Sequence, residues 1–226
     1  MKILAIDTAT EACSAALWID GDTIARHELA PRRHTELLLP MVDAVLDEAG
    51  LAVTALDAIA FGRGPGSFTG VRIATATAQG LAWAAGLPAV PVSTLAAIAQ
   101  AAIDEQGAEA VACALDARMG EVYWAAYRRD EAGLAALDGA EQVLPPGRVP
   151  RLEDPAGWHG AGSGWRACGD ALIERLGAAP GSIDPEALPD AATIARLAVV
   201  AFGRGECVPP EQALPVYLRN RVTHQR

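Results

Sequence analysis

Lysine is almost absent from this chain: Lys2 is the only one in 226 residues. A Walker phosphate loop ends in Gly-Lys-Ser/Thr, with the lysine on the phosphates, so that class of nucleotide site is excluded. Cysteine is sparse too, at positions Cys13, Cys113, Cys168 and Cys207, and no two of them form a Cys-x-x-Cys pair. Neither a zinc site nor a disulfide framework is suggested, and the four read as reduced core residues. No apolar run reaches membrane-spanning length, and the apolar start is too short for a secretory h-region; a cytoplasmic protein without membrane contact is expected. Positive charge is also short, with 18 Lys and Arg against 28 Asp and Glu, a net of −10. Gripping nucleic acid over a broad face needs a basic surface, so contact with RNA is expected only through a partner.

Apolar residues are plentiful, at 51% of the chain, which suits one domain or two small ones with a sizeable core. The most distinctive stretch is Gly62-Arg-Gly-Pro-Gly-Ser-Phe-Thr-Gly-Val-Arg72. It stands between an apolar run at 56–61 and a helically spaced segment ending near Gly86, the pattern of strand, tight turn and helix N-terminus. Backbone N–H groups converge in such a turn without β-carbons in the way, and the helix adds orphan donors and a positive dipole end. An anion, a carbonyl or another chain would fit there, and so would a purely structural role. A dinucleotide fingerprint fails because Ser67 stands where glycine is needed. A nucleophile elbow fails because Pro65 and Thr69 flank Ser67 where glycines belong.

Three strands open the chain, at 3–6, 13–19 and 23–29, with Asp7 at the end of the first. The next segment carries Leu37, Leu38, Met41, Val42, Val45, Leu46 and Ala49 at helical spacing, an apolar stripe wider than one face, with Pro40 set to distort its first turns. A strand at 58–61, the glycine turn and a helix at 71–85 follow. This helix has Arg72 as its only charge, Ser67 or Thr69 as N-cap, and Gly86 with Pro88 as its stop. A strand at 89–92 and a helix at 94–106 complete the half.

The second half repeats this plan in shortened form: strands at 111–115, 121–128 and 134–143, then Gly160-Ala-Gly-Ser-Gly164 opening a helix at 166–176. A last helix at 193–204 precedes a basic tail with Arg219, Arg221 and Arg226. This order predicts an α/β fold, a duplicated ribonuclease H-like architecture with lobes at 1–106 and 107–226, the second one reduced.

Two successive helices with so little polar surface point to an interface. The candidate partner-binding residues are Leu37, Leu38, Met41, Val42, Val45, Thr75, Ala78 and Gln79, with Arg63 and Arg72 placed to pair a partner's carboxylate or hold an anion. The glycine turn itself comprises Gly62, Gly64, Gly66, Ser67 and Thr69. Asp7 and Asp116 read either as turn residues or as magnesium-orienting carboxylates. His34 and Glu36 read as cap or interface residues rather than a proton-transfer pair.

Five runs together carry a family resemblance: Ile-Leu-Ala-Ile-Asp-Thr-Ala-Thr-Glu-Ala-Cys-Ser at 3–14, His34-Thr35-Glu36, the run from Gly62 to Arg72, Asp116-Ala-Arg-Met-Gly-Glu-Val-Tyr-Trp124 and Tyr217-Leu-Arg-Asn220. Over almost the whole length they resemble the bacterial TsaB family, formerly YeaZ. The resemblance implies a two-lobed actin-like ATPase (ASKHA) fold in a protein that assists tRNA modification. Family members work with TsaD and the ATPase TsaE to place a threonylcarbamoyl group on the adenosine beside the anticodon of ANN-decoding tRNAs. TsaD carries the active site there, and TsaB is a paralogue that binds it through two helices, here about 35–49 and 70–85. The same helices serve homodimers when TsaD is absent. No catalytic residue, metal or cofactor is expected of this chain. TsaD-like enzymes hold a metal through His-x-x-x-His, a spacing absent among His27, His34, His159 and His224. The phosphate turns of an actin-like ATPase need Asp-x-Gly-Thr/Ser, and Asp7-Thr-Ala-Thr and Asp116-Ala-Arg-Met both lack that glycine. The alternatives are a kinase relative with its own nucleotide turnover and a peptidase. The latter lacks a base near Ser67 or a ligand cluster in the sequence.

Overall fold

The computed structural model describes residues 1–219; Arg221, Arg226, His224 and Asn220 lie outside the described residues. β1 (Lys2–Asp7) sits at the centre of the first sheet. Its side chains alternate between two apolar cores, Leu4 and Ile6 in one, Ile3 and Ala5 in the other, as the two-residue period of a strand requires. β2 (Ala12–Ile19) and β3 (Asp22–Leu29) extend the sheet antiparallel on one side. β4 (Ala58–Gly62) and β5 (Ala89–Val92) extend it in parallel on the other, giving the order β3-β2-β1-β4-β5. Parallel neighbours need crossover connections, which α1 (His34–Ala49) and α2 (Phe68–Ala85) supply. Both lie on the face that carries Leu4, Ile6, Ile59 and Phe61. α1 continues through Pro40 and ends at Gly50 in the left-handed conformation.

α3 (Thr94–Gln106) leads to β6 (Ala110–Asp116), β7 (Val122–Arg129) and β8 (Ala135–Leu144), which form an antiparallel meander. β9 (His159–Ala161) and β10 (Ser182–Asp184) then add in parallel on the far side of β6, for an order of β10-β9-β6-β7-β8. Read from the other edge, this is the first sheet again: the opening strand central, two antiparallel neighbours, two parallel ones. The fold is therefore a duplicated ribonuclease H-like α/β architecture. The second sheet is complete rather than reduced, because β10, three mostly polar residues without periodicity, leaves no trace in the hydrophobic pattern. α4 (Gly164–Leu176) covers this sheet, packing Trp165, Leu172 and Leu176 on Ala112, Ala114 and Trp124.

The boundary expected at 106/107 is not where the chain divides. α5 (Ala191–Gly203) belongs to the first sheet, packing Ala191, Ile194, Ala195 and Ala198 against Ile3, Ala5, Ala58 and Ala60. Without it the second face of that sheet would lose its apolar cover, a driving force that acts regardless of sequence distance. The compact units are Met1–Ala97 with Leu188–Pro215, and Ile98–Ala187 with the stretch from Val216. Among the described residues no helix is long and apolar enough to cross a membrane.

Candidate functional site

The glycine turn is packed against the loop that follows β1. Ser67 N–H donates to the Ala9 carbonyl at 2.7 Å, Arg63 N–H to the Val92 carbonyl at 2.8 Å, and Thr94 N–H to the Gly64 carbonyl at 3.1 Å. Thr8 Oγ1 donates to the Gly70 carbonyl at 2.6 Å. A β-carbon at Gly70 would collide with the Thr8 carbonyl, and one at Gly62 with Asp7 Oδ2. Glycine is needed here to let two backbone segments meet, and the Ser67 and Arg63 N–H groups are spent on the protein's own carbonyls. Ser67, not Thr69, caps α2, its Oγ accepting from Gly70 N–H. Ser67 and Thr69 are exposed, while Gly62 and Gly64 are buried and Gly66 is half-buried.

Asp7 is sealed beneath this turn. Its Oδ1 accepts from Ala9 N–H at 2.9 Å, and its Oδ2 is buried without a partner. Burial, reinforced by the nearby Asp190 carboxylate and opposed by the Ala9 bond, raises its pKa to about 7. Asp190, the N-cap of α5, stands 2.6 Å from His27 Nδ1. Burial first, then Asp7 and Glu28, pushes the Cys13 thiol up to about 11. In the second unit Asp116 accepts from Arg118 through both oxygens, at 2.7 Å to its N–H and 2.9 Å to its Nη1. Asp7 is thus buried beneath the turn, while Asp116 is paired within its own turn. Arg219 holds the same turn, its Nη2 donating to the Ala117 carbonyl at 3.0 Å and to Glu121 Oε2 at 2.6 Å. Among the described residues no group of three or more His, Cys, Asp and Glu could hold a metal.

The helices divide differently from the sequence reading. Leu38, Val42 and Val45 of α1 and Ala78 of α2 are core residues packed on the sheet, and Thr75 is buried with its Oγ1 on the Val71 carbonyl. These five cannot meet a partner; the apolar stripe serves the chain's own sheet because its spacing is that of a core-facing helix. Leu37 and Met41 are half-buried against the same core. Gln79 is turned to the Ala213 carbonyl, 3.2 Å away. His34, nearly buried, donates from Nε2 to the Thr10 carbonyl, and Glu36 lies 3.5 Å from Arg33. His34 is therefore a tie between α1 and the first loop, not a cap. Arg63 is half-buried, and Arg72 is exposed with its guanidinium 3.8 Å from the centre of the Phe68 ring.

What faces outward is a ridge the sequence reading passed over. Phe68, Arg72, Ala76, Gly80 and Ala84 recur every four residues along α2, all exposed, with Trp83 beside them; Leu39, Pro40 and Asp43 are exposed on α1. Leu39, Phe68 and Trp83, large apolar side chains of these two helices, are 50%, 55% and 68% exposed. The signal was present as this second four-residue row, hidden by the stronger apolar row behind it.

Residues 26–161 match the family model described as TsaD, tRNA N6-adenosine threonylcarbamoyltransferase. The tRNA threonylcarbamoyladenosine biosynthesis protein TsaB of Escherichia coli is 49% identical over 231 residues, covering 100% of this chain and 98% of that protein. Its counterpart of the same name in Haemophilus influenzae is 40% identical, covering 100% and 97%. The solved structure of YeaZ from Pseudomonas aeruginosa superposes with a TM-score of 0.89 at 53% identity, covering 96% of this chain and 99% of that one. With that similarity running end to end through both lobes and the glycine turn, the chain belongs to the TsaB family.

Proposed function

We propose that this chain serves tRNA threonylcarbamoyladenosine biosynthesis as a non-catalytic subunit that docks a TsaD-type transferase on the outward face of α1 and α2. With TsaE it supports transfer of the threonylcarbamoyl group to the adenosine beside the anticodon of ANN-decoding tRNAs. The observation that carries this is the exposed Leu39, Phe68 and Trp83 on two neighbouring helices whose inner stripes are already used by the core. The same face serves a homodimer when the transferase is missing, since one apolar surface answers either need. The acidic balance of the chain leaves tRNA contact to the transferase. The work is placed in the cytoplasm. The sealed Asp7 and the packing of the glycine turn on the loop after β1 support docking over nucleotide turnover.

Reconstitution from this chain, its cognate TsaD and TsaE, ATP, threonine-derived adenylate and tRNA tests the reading. Modification is expected to fail when this chain is omitted and to return when it is restored. Full modification without it, or ATP turnover by the pure chain that Asp7→Ala abolishes, would replace the docking role with another.

A further inference from the structure

Residues paired across adjacent antiparallel strands face the same way, and the register pairs Asp7 with Ser14 and Ser14 with His27. Ala5 and Ala16, two residues from Asp7 and Ser14, belong to the core beneath α5, so the row Asp7, Ser14, His27 crosses three strands on the α5 face. The N-terminus of α5 is fastened to this row. Ala191 N–H donates to Ser14 Oγ at 3.0 Å. Asp190, the N-cap, accepts from Ala192 N–H at 2.7 Å through Oδ1, while its Oδ2 lies 2.6 Å from His27 Nδ1. The outer end of the row, His27, is exposed; the inner end, Asp7, is fully buried with Oδ2 unpartnered.

A carboxyl group closed off from water with one oxygen unpaired costs less to hold neutral than ionised. Burial raises the pKa of Asp7 to about 7 against the bond from Ala9 N–H, and the Asp190 carboxylate adds to the rise. The elements packed around Asp7 bring few other charges. β2 brings the Cys13 thiol, which itself feels Asp7 and Glu28 of β3. The loop after β1 brings the exposed Glu11; β4 has no titratable residue, and the turn after it brings Arg63. Within α5 only Arg196 is charged, further along than the cap, and α2 has only Arg72, held over the Phe68 ring. Of these groups, Asp190 is the one whose charge shifts Asp7.

We propose that the protonation state of Asp7 works a latch on the first turn of α5: the neutral carboxyl keeps the turn closed on Ser14 and His27, and the carboxylate opens it. Opening admits water to Oδ2 and draws the Asp190 carboxylate away from the new charge. The cost is the uncovering of Ala191 and Ile194, which are core residues, so the open form is a minor population. The latch stands on the face of the sheet opposite α1 and α2 and does not depend on the docking reading.

Amide exchange measured by NMR on the full-length protein, each rate divided by the intrinsic rate at that pH, tests the latch. A carboxyl with a pKa of about 7 closed and 3.8 open favours the open form about tenfold more at pH 8 than at pH 6. Protection of the Ala191, Ala192 and Ile194 amides is expected to fall by that factor, to be unaffected by low urea, and to lose its pH dependence in Asp7→Asn. Asp190→Asn, which keeps a capping oxygen but removes the neighbouring charge, should move the midpoint to lower pH. Equal protection at the two pH values, or an unmoved midpoint in Asp190→Asn, would overturn the proposal. So would a fall that steepens with urea as much as that of the β1 amides, because Asp7 is then released only by global unfolding.

Discussion

Asp7 Oδ2 fills the space that a β-carbon at Gly62 would require, and that contact joins the end of β1 to the start of the glycine turn. The carboxylate is buried with one oxygen bonded and one not, so the site tolerates neither added bulk nor added charge.

Gly62→Ala is expected to destabilise the protein by about 2–4 kcal/mol, since Asp7 has to leave its bond to Ala9 or the strand has to shift. Gly80→Ala is the control: a β-carbon there meets nothing within 4 Å. In a helix interior it should stabilise by about 0.5–1 kcal/mol. Urea unfolding of the two variants gives the comparison, and equal midpoints would show that the contact is slack.

The raised pKa of Asp7 makes stability depend on pH. The native state keeps a proton that the unfolded chain releases near 3.8, so stability is greatest below that value. It falls as pH rises toward the folded pKa of about 7, and is level above it. The full effect is on the order of 4 kcal/mol, about 1.4 kcal/mol for each unit between the two values. Asp7→Asn should lose this component, leaving a smaller difference between denaturation midpoints at pH 5 and pH 8. Identical slopes in variant and parent would mean that Asp7 stays ionised.

His159 pulls the second unit the other way. Burial lowers its pKa against the opposing pull of Asp184, and its Nε2 has no partner while Nδ1 lies 2.7 Å from Ser182 Oγ. The native unit holds the neutral ring, so this contribution is intact above 6.5 and is lost as pH falls through the depressed value. Trp124 and Trp165, with ring centres 6.1 Å apart in that unit, report it by fluorescence. His159→Phe should remove the acid sensitivity, and Ser182→Ala should cost about 1 kcal/mol through the lost bond. An acid transition unchanged in His159→Phe would assign it to another group.

Inner and outer helix faces should fail differently. Val45→Glu places a charge among Leu4, Leu17 and Leu38, and should cost about 3 kcal/mol or more of folding stability, on the order expected for an unpaired buried charge. Leu39→Asp lies outside and should keep the melting temperature while weakening the TsaD complex by about tenfold. Calorimetry with size-exclusion chromatography separates the two, and a well-folded Val45→Glu protein would place that residue on the wrong side of the helix.

Much of the fold was legible because it is written locally. Periods of two and 3.6 residues, Gly86 after its helix and Ser67 before it announce the strands and helices of the first half within about three residues, the largest miss being the start of α2 at Phe68 rather than 71. The repeat of an opening strand ending in aspartate at Asp7 and Asp116, and of a glycine turn before a helix, announces the duplication. The sequence by itself also determined the family, through the run from Gly62 to Arg72. Only the tertiary structure decided which way the apolar stripes face. Val42 and Ala78 look like interface residues on a helical wheel, but a wheel does not say where the sheet is, and the sheet claims them. It also decided that α5 returns to the first sheet, that β10 completes the second, and that Trp83 meets Cys207 and Pro209 across a groove. Each of these joins residues far apart in the chain, and burial of apolar surface, which selects such pairings, depends on contact in space rather than separation in sequence.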